Sequence, residues 1–160
     1  MPLDSEIAVQ LPLLDRLIDL DPGTRAEPHL SRPAAVRALK DSLRRDLEYL
    51  LNTRRTPVKI PRELREVQES VFCFGMPDLT SVSLRSSVDR KFLKDMIAKA
   101  ISAYEPRLAD IRIVDAEGSA ASERTLHFHI EALLLVDPAP EVVSFDTVFK
   151  MDQGGCEVNG

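Results

Sequence analysis

Pro106 divides this chain into two kinds of periodicity. Before it, apolar residues recur every three or four positions. After it, they recur every second position. Proline in a helix interior costs about 3 kcal/mol, so a helix arriving from the N-terminal side must stop before it. A period of 3.6 followed by a period of 2 predicts helices first and a sheet last.

The helical part has three pieces. Over 11–20, "LPLLDRLIDL" places Leu13, Leu14, Leu17, Ile18 and Leu20 at helical spacing. The polar, proline-bearing "DPGTRAEPHLS" then reads as a linker. So the short helix either folds back on its own core or docks on a partner. Ser31 and Pro33 form a start signal. Val36, Leu39, Leu43, Leu47 and Leu50 follow as one stripe, predicting a helix over about 33–51. Asp41 with Arg45, and Arg44 with Glu48, are opposite charges four apart. The stretch 53–85 mixes a short extended "TPVKIP", a moderately helical "ELREVQESVF" and the loop chemistry of "FGMPDLTS". Ser86 or Ser87 caps a further helix, with Val88, Phe92, Met96, Ala100 and Tyr104 along one stripe and Leu93, Ile97 and Ile101 beside it.

Three strand-like runs follow at 110–114, 125–136 and 142–149. Leu126, Phe128, Ile130 and Ala132 alternate with His127, His129 and Glu131. Short turn-rich connectors argue an antiparallel meander. The expected fold class is α+β in two layers, with helices on one face of a small, mainly antiparallel sheet. The expected organisation is an N-terminal docking segment and linker over 1–31, an α+β domain over 32–150 and a frayed tail over 151–160.

Several function classes find no support. Acidic residues number 26 against 21 basic ones, for a net charge of −5. The densest basic stretch, Arg54, Arg55, Lys59, Arg62 and Arg65, is interleaved with Glu63, Glu66 and Glu69, which is too sparse for a phosphate track and argues against nucleic acid. The longest apolar run, "ALLLV" at 132–136, is strand-sized, so no membrane insertion is expected. The first ten residues lack a basic signal region, and two cysteines without a CxxC suit a reducing compartment, which makes the cytoplasm the expected location. No P-loop, dinucleotide fingerprint or nucleophile elbow is present, and no cofactor is expected.

Two constellations need weighing. His127, His129 and Glu131 share one strand face and could chelate a metal if another ligand, such as Asp146, converged. A solvated sheet face is the stronger reading. At the helix–strand join stand Glu105, Pro106 and Arg107. A glycosidase acid needs a second carboxylate nearby and a retained proton; an adjacent cation works against the latter. The chain also has no Trp and only two Tyr for stacking on sugars. Two readings of the trio remain: a docking surface stiffened by proline, with Tyr104 and Leu108 anchoring the join, or an intramolecular salt bridge from Arg107 to an acid of the same domain.

Four stretches in order, "DLEYLLNTRR" at 46–55, "SVFCFGMPDL" at 70–79, "AISAYEPRL" at 100–108 and "SFDT" at 144–147, resemble the baseplate wedge family of contractile phage tails. Together with "LLDRL" at 13–17 they are similar to its bacterial branch, the TssE proteins of type VI secretion systems. Phe74 and Met76 stand where that family often has Tyr and Leu. The resemblance implies a structural, non-enzymatic protein of a cytoplasmic baseplate docked at the inner-membrane complex. Its implied partners are the wedge proteins TssF, TssG and TssK and the sheath proteins TssB and TssC. Glu105, Pro106 and Arg107, with Leu13, Leu14 and Leu17, are the implied wedge contacts. Ser144, Phe145, Asp146 and Thr147 lie on the expected sheath-contact strand, taken as a sheet edge. The family is often labelled lysozyme-like, and a peptidoglycan-acting hydrolase is the alternative.

Overall fold

The structure is a computed structural model that describes residues 9–18, 23, 31–79, 82–116, 125–150 and 155–160. Helices α1 (Leu13–Leu17), α2 (Arg32–Asn52), α3 (Arg65–Gln68) and α4 (Ser87–Tyr104) precede strands β1 (Leu108–Asp115), β2 (Thr125–Leu134), β3 (Glu141–Lys150) and β4 (Gly155–Asn159). The strands form one antiparallel sheet in the order β1-β2-β3-β4. The α+β class and the meander are as the sequence predicts. The linker expected at 21–31 and most of the connector after β1 lie outside the described residues.

Each long helix has a local cause. Ser31 precedes α2 without a side-chain cap, so Pro33 in the first turn is the operative start signal. Ser86 does cap α4: its hydroxyl accepts from the Asp89 amide at 3.2 Å. Asp89 in turn accepts from the Ser83 amide at 3.1 Å. The helix ends at Tyr104, two residues before Pro106.

One face of the sheet carries the core. Leu126, Phe128, Ile130, Val143, Phe145, Phe149 and Val158 meet Leu43, Leu47, Leu93, Ile97 and Ile101. α2 packs over β4 and α4 over β1. The predicted α4 stripe is right at its centre, but Val88 and Phe92 at its N-terminal end face solvent. The opposite sheet face is polar and open. There His129 and Asp146 sit opposite each other in register, with Nδ1 and Oδ1 at 2.7 Å. No group of three metal-ligating side chains occurs among the described residues.

Two features depart from the sequence reading. The expected frayed tail forms a strand over Gly155–Asn159, with Cys156 and Val158 buried. Asn52, the last residue of α2, holds this strand as another strand would. Its Nδ2 donates to the Cys156 carbonyl at 2.8 Å and its Oδ1 accepts from the Cys156 amide at 2.7 Å. Consequently β3 is an edge only in part. β4 pairs with Asp146–Lys150, and Glu141–Phe145 have no partner on that side among the described residues.

The second departure concerns the stretch 53–79, which is irregular yet anchored. Arg54 and Met76 form a parallel bridge: the Met76 amide donates to the Thr53 carbonyl and the Arg55 amide to the Met76 carbonyl, both at 2.8 Å. Gly75 allows this approach at φ +100°, and a Cβ there would lie 2.4 Å from the Thr53 oxygen. Gly75→Ala should therefore cost at least about 2 kcal/mol, since backbone strain and a backbone clash coincide. A melting temperature equal to that of the wild type would show that the bridge does not hold the loop.

Burial pushes the Cys156 thiol up to about 12, with Glu48 and Glu157 adding to the effect. The folded thiol thus titrates above the unfolded value of 9.0, so its contribution is full below that pH and fades as pH rises toward 12. Iodoacetamide at about pH 8.5 should leave Cys156 unmodified in the wild type. Asn52→Ala should lower stability by about 1–3 kcal/mol and render Cys156 reactive. Equal labelling rates in the two proteins would mean that the Asn52 clasp does not retain β4.

Candidate functional site

Glu105, Pro106 and Arg107 occupy the turn between α4 and β1. Pro106 is exposed, and Leu108 is buried at the start of β1. Tyr104 anchors the turn from the helix side. Its hydroxyl donates to the Ser70 carbonyl at 3.1 Å, and its ring meets Phe74 edge-on at 5.2 Å between centroids.

The charges do not project freely from this join. Glu105 is only 6% exposed. Arg107 grips it with two bonds, Nε to Oε1 at 2.5 Å and Nη2 to Oε2 at 2.6 Å. Nη2 also reaches Asp46 Oδ2 on α2 at 2.6 Å. The intramolecular salt bridge is therefore present, and it joins α4, α2 and β1. Burial, the largest effect on Arg107, opposes its charge; the hydrogen bonds it donates to Glu105 and then to Asp46 more than offset this and raise its pKa.

The ionic cluster extends to α1. Arg45 pairs with Asp15 at 2.5 Å, not with Asp41 as the helical spacing suggests. The Ser42 hydroxyl most strongly lowers the Asp15 pKa; burial works against it, and Arg45 adds to the lowering. Arg107 Nη1 and Asp15 Oδ2 are buried with no hydrogen-bond partner among the described residues. Asp46 and Asp15 are absent from the sequence-based site. A signal for Asp46 does exist: Ser42 and Asp46 stand four apart beside the apolar stripe of α2, and Ser42 is buried.

Beside this cluster opens a cavity of about 720 Å³. Tyr49 and Leu50 of α2, Phe74, the Tyr104–Arg107 turn and Leu135–Asp137 line it, and the chain's own Val9–Pro12 lies along it. Val9 and Leu11 pack against the core, so the N-terminal segment does fold back on its domain. Its leucines nevertheless face outward: Leu13, Leu14 and Leu17 are 68%, 63% and 72% exposed.

The sheath-contact residues divide by face. Ser144 and Asp146 are exposed on the open face, and Phe145 and Thr147 are buried in the core. A second, smaller cavity of about 220 Å³ lies where β4 stops, between Val142–Phe145 and α2's Lys40, Asp41 and Arg44.

The described residues thus form a two-layer α+β domain with an open half-edge and with an ionic cluster beside an apolar groove. The sequence model of the family described as baseplate wedge protein gp25 matches residues 37–139, more than half of the chain, and the chain belongs to that family. The family is a structural component of phage-tail-like baseplates. No curated protein and no solved structure matches the chain. No helix among the described residues is long and apolar enough to cross a membrane.

Breaking the central pair should register in stability. Glu105→Gln should cost about 2 kcal/mol in urea denaturation, less than the roughly 3–5 of a fully buried pair because Arg107 keeps Asp46 and part of its solvent contact. Asp46→Asn should cost less, since Asp46 is 38% exposed. The reverse order would place the anchor of Arg107 on α2.

Proposed function

We propose that this baseplate wedge protein is the TssE-type subunit of a type VI secretion system, working in the cytoplasm on a baseplate docked at the inner-membrane complex. It binds TssF, TssG and TssK through the face around Glu105, Pro106 and Arg107, and it starts the sheath by contacting TssB and TssC. One observation carries this reading: the ionic cluster lines one groove together with Val9–Pro12, the stretch that leads directly into three exposed leucines. Arg107 acts there as a fixed post. A rigid, prepaired cation gives register and specificity to an interface without being reordered on binding. Leu13, Leu14 and Leu17 supply the apolar contact beside it.

The sheath contact falls on Glu141–Phe145, where β3 lacks a partner on the β4 side. An incoming strand there extends an ordered ladder, so it bears less ordering cost than free pairing would. Phe145 and Thr147 support that ladder from the core, and Ser144 and Asp146 face outward beside it.

The hydrolase alternative lacks geometric support. Both oxygens of Glu105 accept from Arg107, which leaves neither placed to donate to a glycosidic oxygen. Asp46, the nearest second carboxylate, is bound to the same guanidinium.

The test uses exposed positions, so that folding and binding separate. Leu13→Glu/Leu17→Glu should melt like the wild type and fail to co-elute with a TssF–TssG complex. Co-elution of a folded double variant would remove α1 from the interface. Ser144→Pro with an unchanged circular dichroism spectrum should fail to nucleate TssB–TssC tubes, and normal tubes would remove this half-edge from the sheath contact.

A further inference from the structure

Away from the groove, the segment Arg54–Ile60 begins a β-ladder that the chain does not continue. Arg54 is bridged in parallel to Met76. Beyond that bridge no backbone N–H or C=O of Thr56–Ile60 is hydrogen-bonded among the described residues. Pro77 follows Met76 and has no N–H, so the internal partner cannot extend the pairing. Instead a cleft of about 1090 Å³ separates Arg54–Ile60 from Gln68, Cys73, Pro77 and Asp78.

The charge on this stretch is distinctive. Arg54, Arg55, Lys59 and Arg62 give +4 with no acid between them, in a chain whose net charge is −5. None of the four makes an ion pair among the described residues, although Arg45, Lys94, Arg107 and Lys150 all do. Residues 54–59 are exposed, Val58 at 58%. Val71, on the 3₁₀ turn that leads to Cys73, is 88% exposed. Acids along the chain resume past Pro61, as Glu63, Glu66 and Glu69, and Asp78 lies across the cleft from the cations.

We infer that this cleft is a second docking site, for an extended acidic segment of a partner protein that pairs as a strand with Thr56–Ile60. The unpaired backbone supplies the ladder, in which Pro57 contributes no donor and Pro61 marks the end. The unpaired cations select carboxylates, while Val58 offers apolar contact between them. A cationic rim of this kind works mainly through encounter rate and register, and salt weakens it. The site shares no residue with the groove beside Glu105, so its failure leaves the wedge reading untouched.

The probe is a fluorescein-labelled peptide of alternating glutamate and valine, seven residues long, titrated against the full chain by fluorescence anisotropy. Its lysine–valine counterpart and phosphatidylglycerol vesicles are run in parallel. The glutamate peptide should bind, and should weaken markedly between about 50 and 300 mM salt. Arg55→Glu/Lys59→Glu, with an unchanged melting curve, should weaken binding by at least about tenfold. Val58→Pro, which removes one backbone donor, should weaken it by about threefold or more. Absence of binding, equal affinity for the lysine peptide, or an unchanged affinity in the folded charge-reversal variant would overturn the proposal. Unchanged affinity in Val58→Pro would overturn the strand pairing. Binding to the vesicles but not to the peptide would assign the basic stretch to a lipid surface and overturn the protein partner.

Discussion

The guanidinium of Arg107 holds three elements at one point. Its bonds to Glu105 fix the turn after α4, its bond to Asp46 fixes α2, and its own backbone leads into β1. A planar fork with several donors suits this task, and a lysine could not satisfy the same acceptors from one position. The crossing of the helical layer over the sheet is therefore set by charge geometry at one end and by apolar packing along the rest. Such a junction resists relaxation. Removing either carboxylate leaves the cation with a single counter-charge and loosens one of the elements it joins.

The same junction borders the groove of the proposed interface. Beside the cluster, the groove is walled by Phe74, Tyr104 and Leu50 and lined along one side by the chain's own Val9–Pro12. The Asp15–Arg45 pair ties this N-terminal segment down while turning its leucines outward. One short piece of chain thus covers its own core and presents an apolar surface. Of the two fates posed by its sequence, own core or partner, the first is visible in Val9, Leu11 and Asp15, which turn inward, while Leu13, Leu14 and Leu17 are exposed.

Periodicity made most of the fold legible. The stripe from Val36 to Leu50 and the alternation from Leu126 to Ala132 follow directly from side-chain geometry, and both are buried as expected. Pro106 located the helix end. Three things were hidden for physical reasons. β4 is short and glycine-bordered, and it is held in part by Asn52 on a helix distant in sequence, so no local pattern reveals it. Asp46 and Asp15 look like ordinary surface acids until tertiary contacts bring Arg107 and Arg45 to them. The charges of Glu105 and Arg107 suggested outward projection, whereas two residues of separation across a proline turn allow the side chains to close on each other.

The Asn52 clasp has a temporal consequence. It joins residues 104 positions apart, whereas every strand pairing in the sheet is between sequence neighbours. Local hairpins form early, but the closure of a long loop is slow to be rewarded. Until β4 docks, the surface of α2 that it covers is bare. The domain therefore completes its hydrophobic layer only once the last strand arrives. Until then the β3 edge is open along its whole length and can capture a neighbouring chain, so timely arrival of β4 is what limits that edge to the five residues Glu141–Phe145.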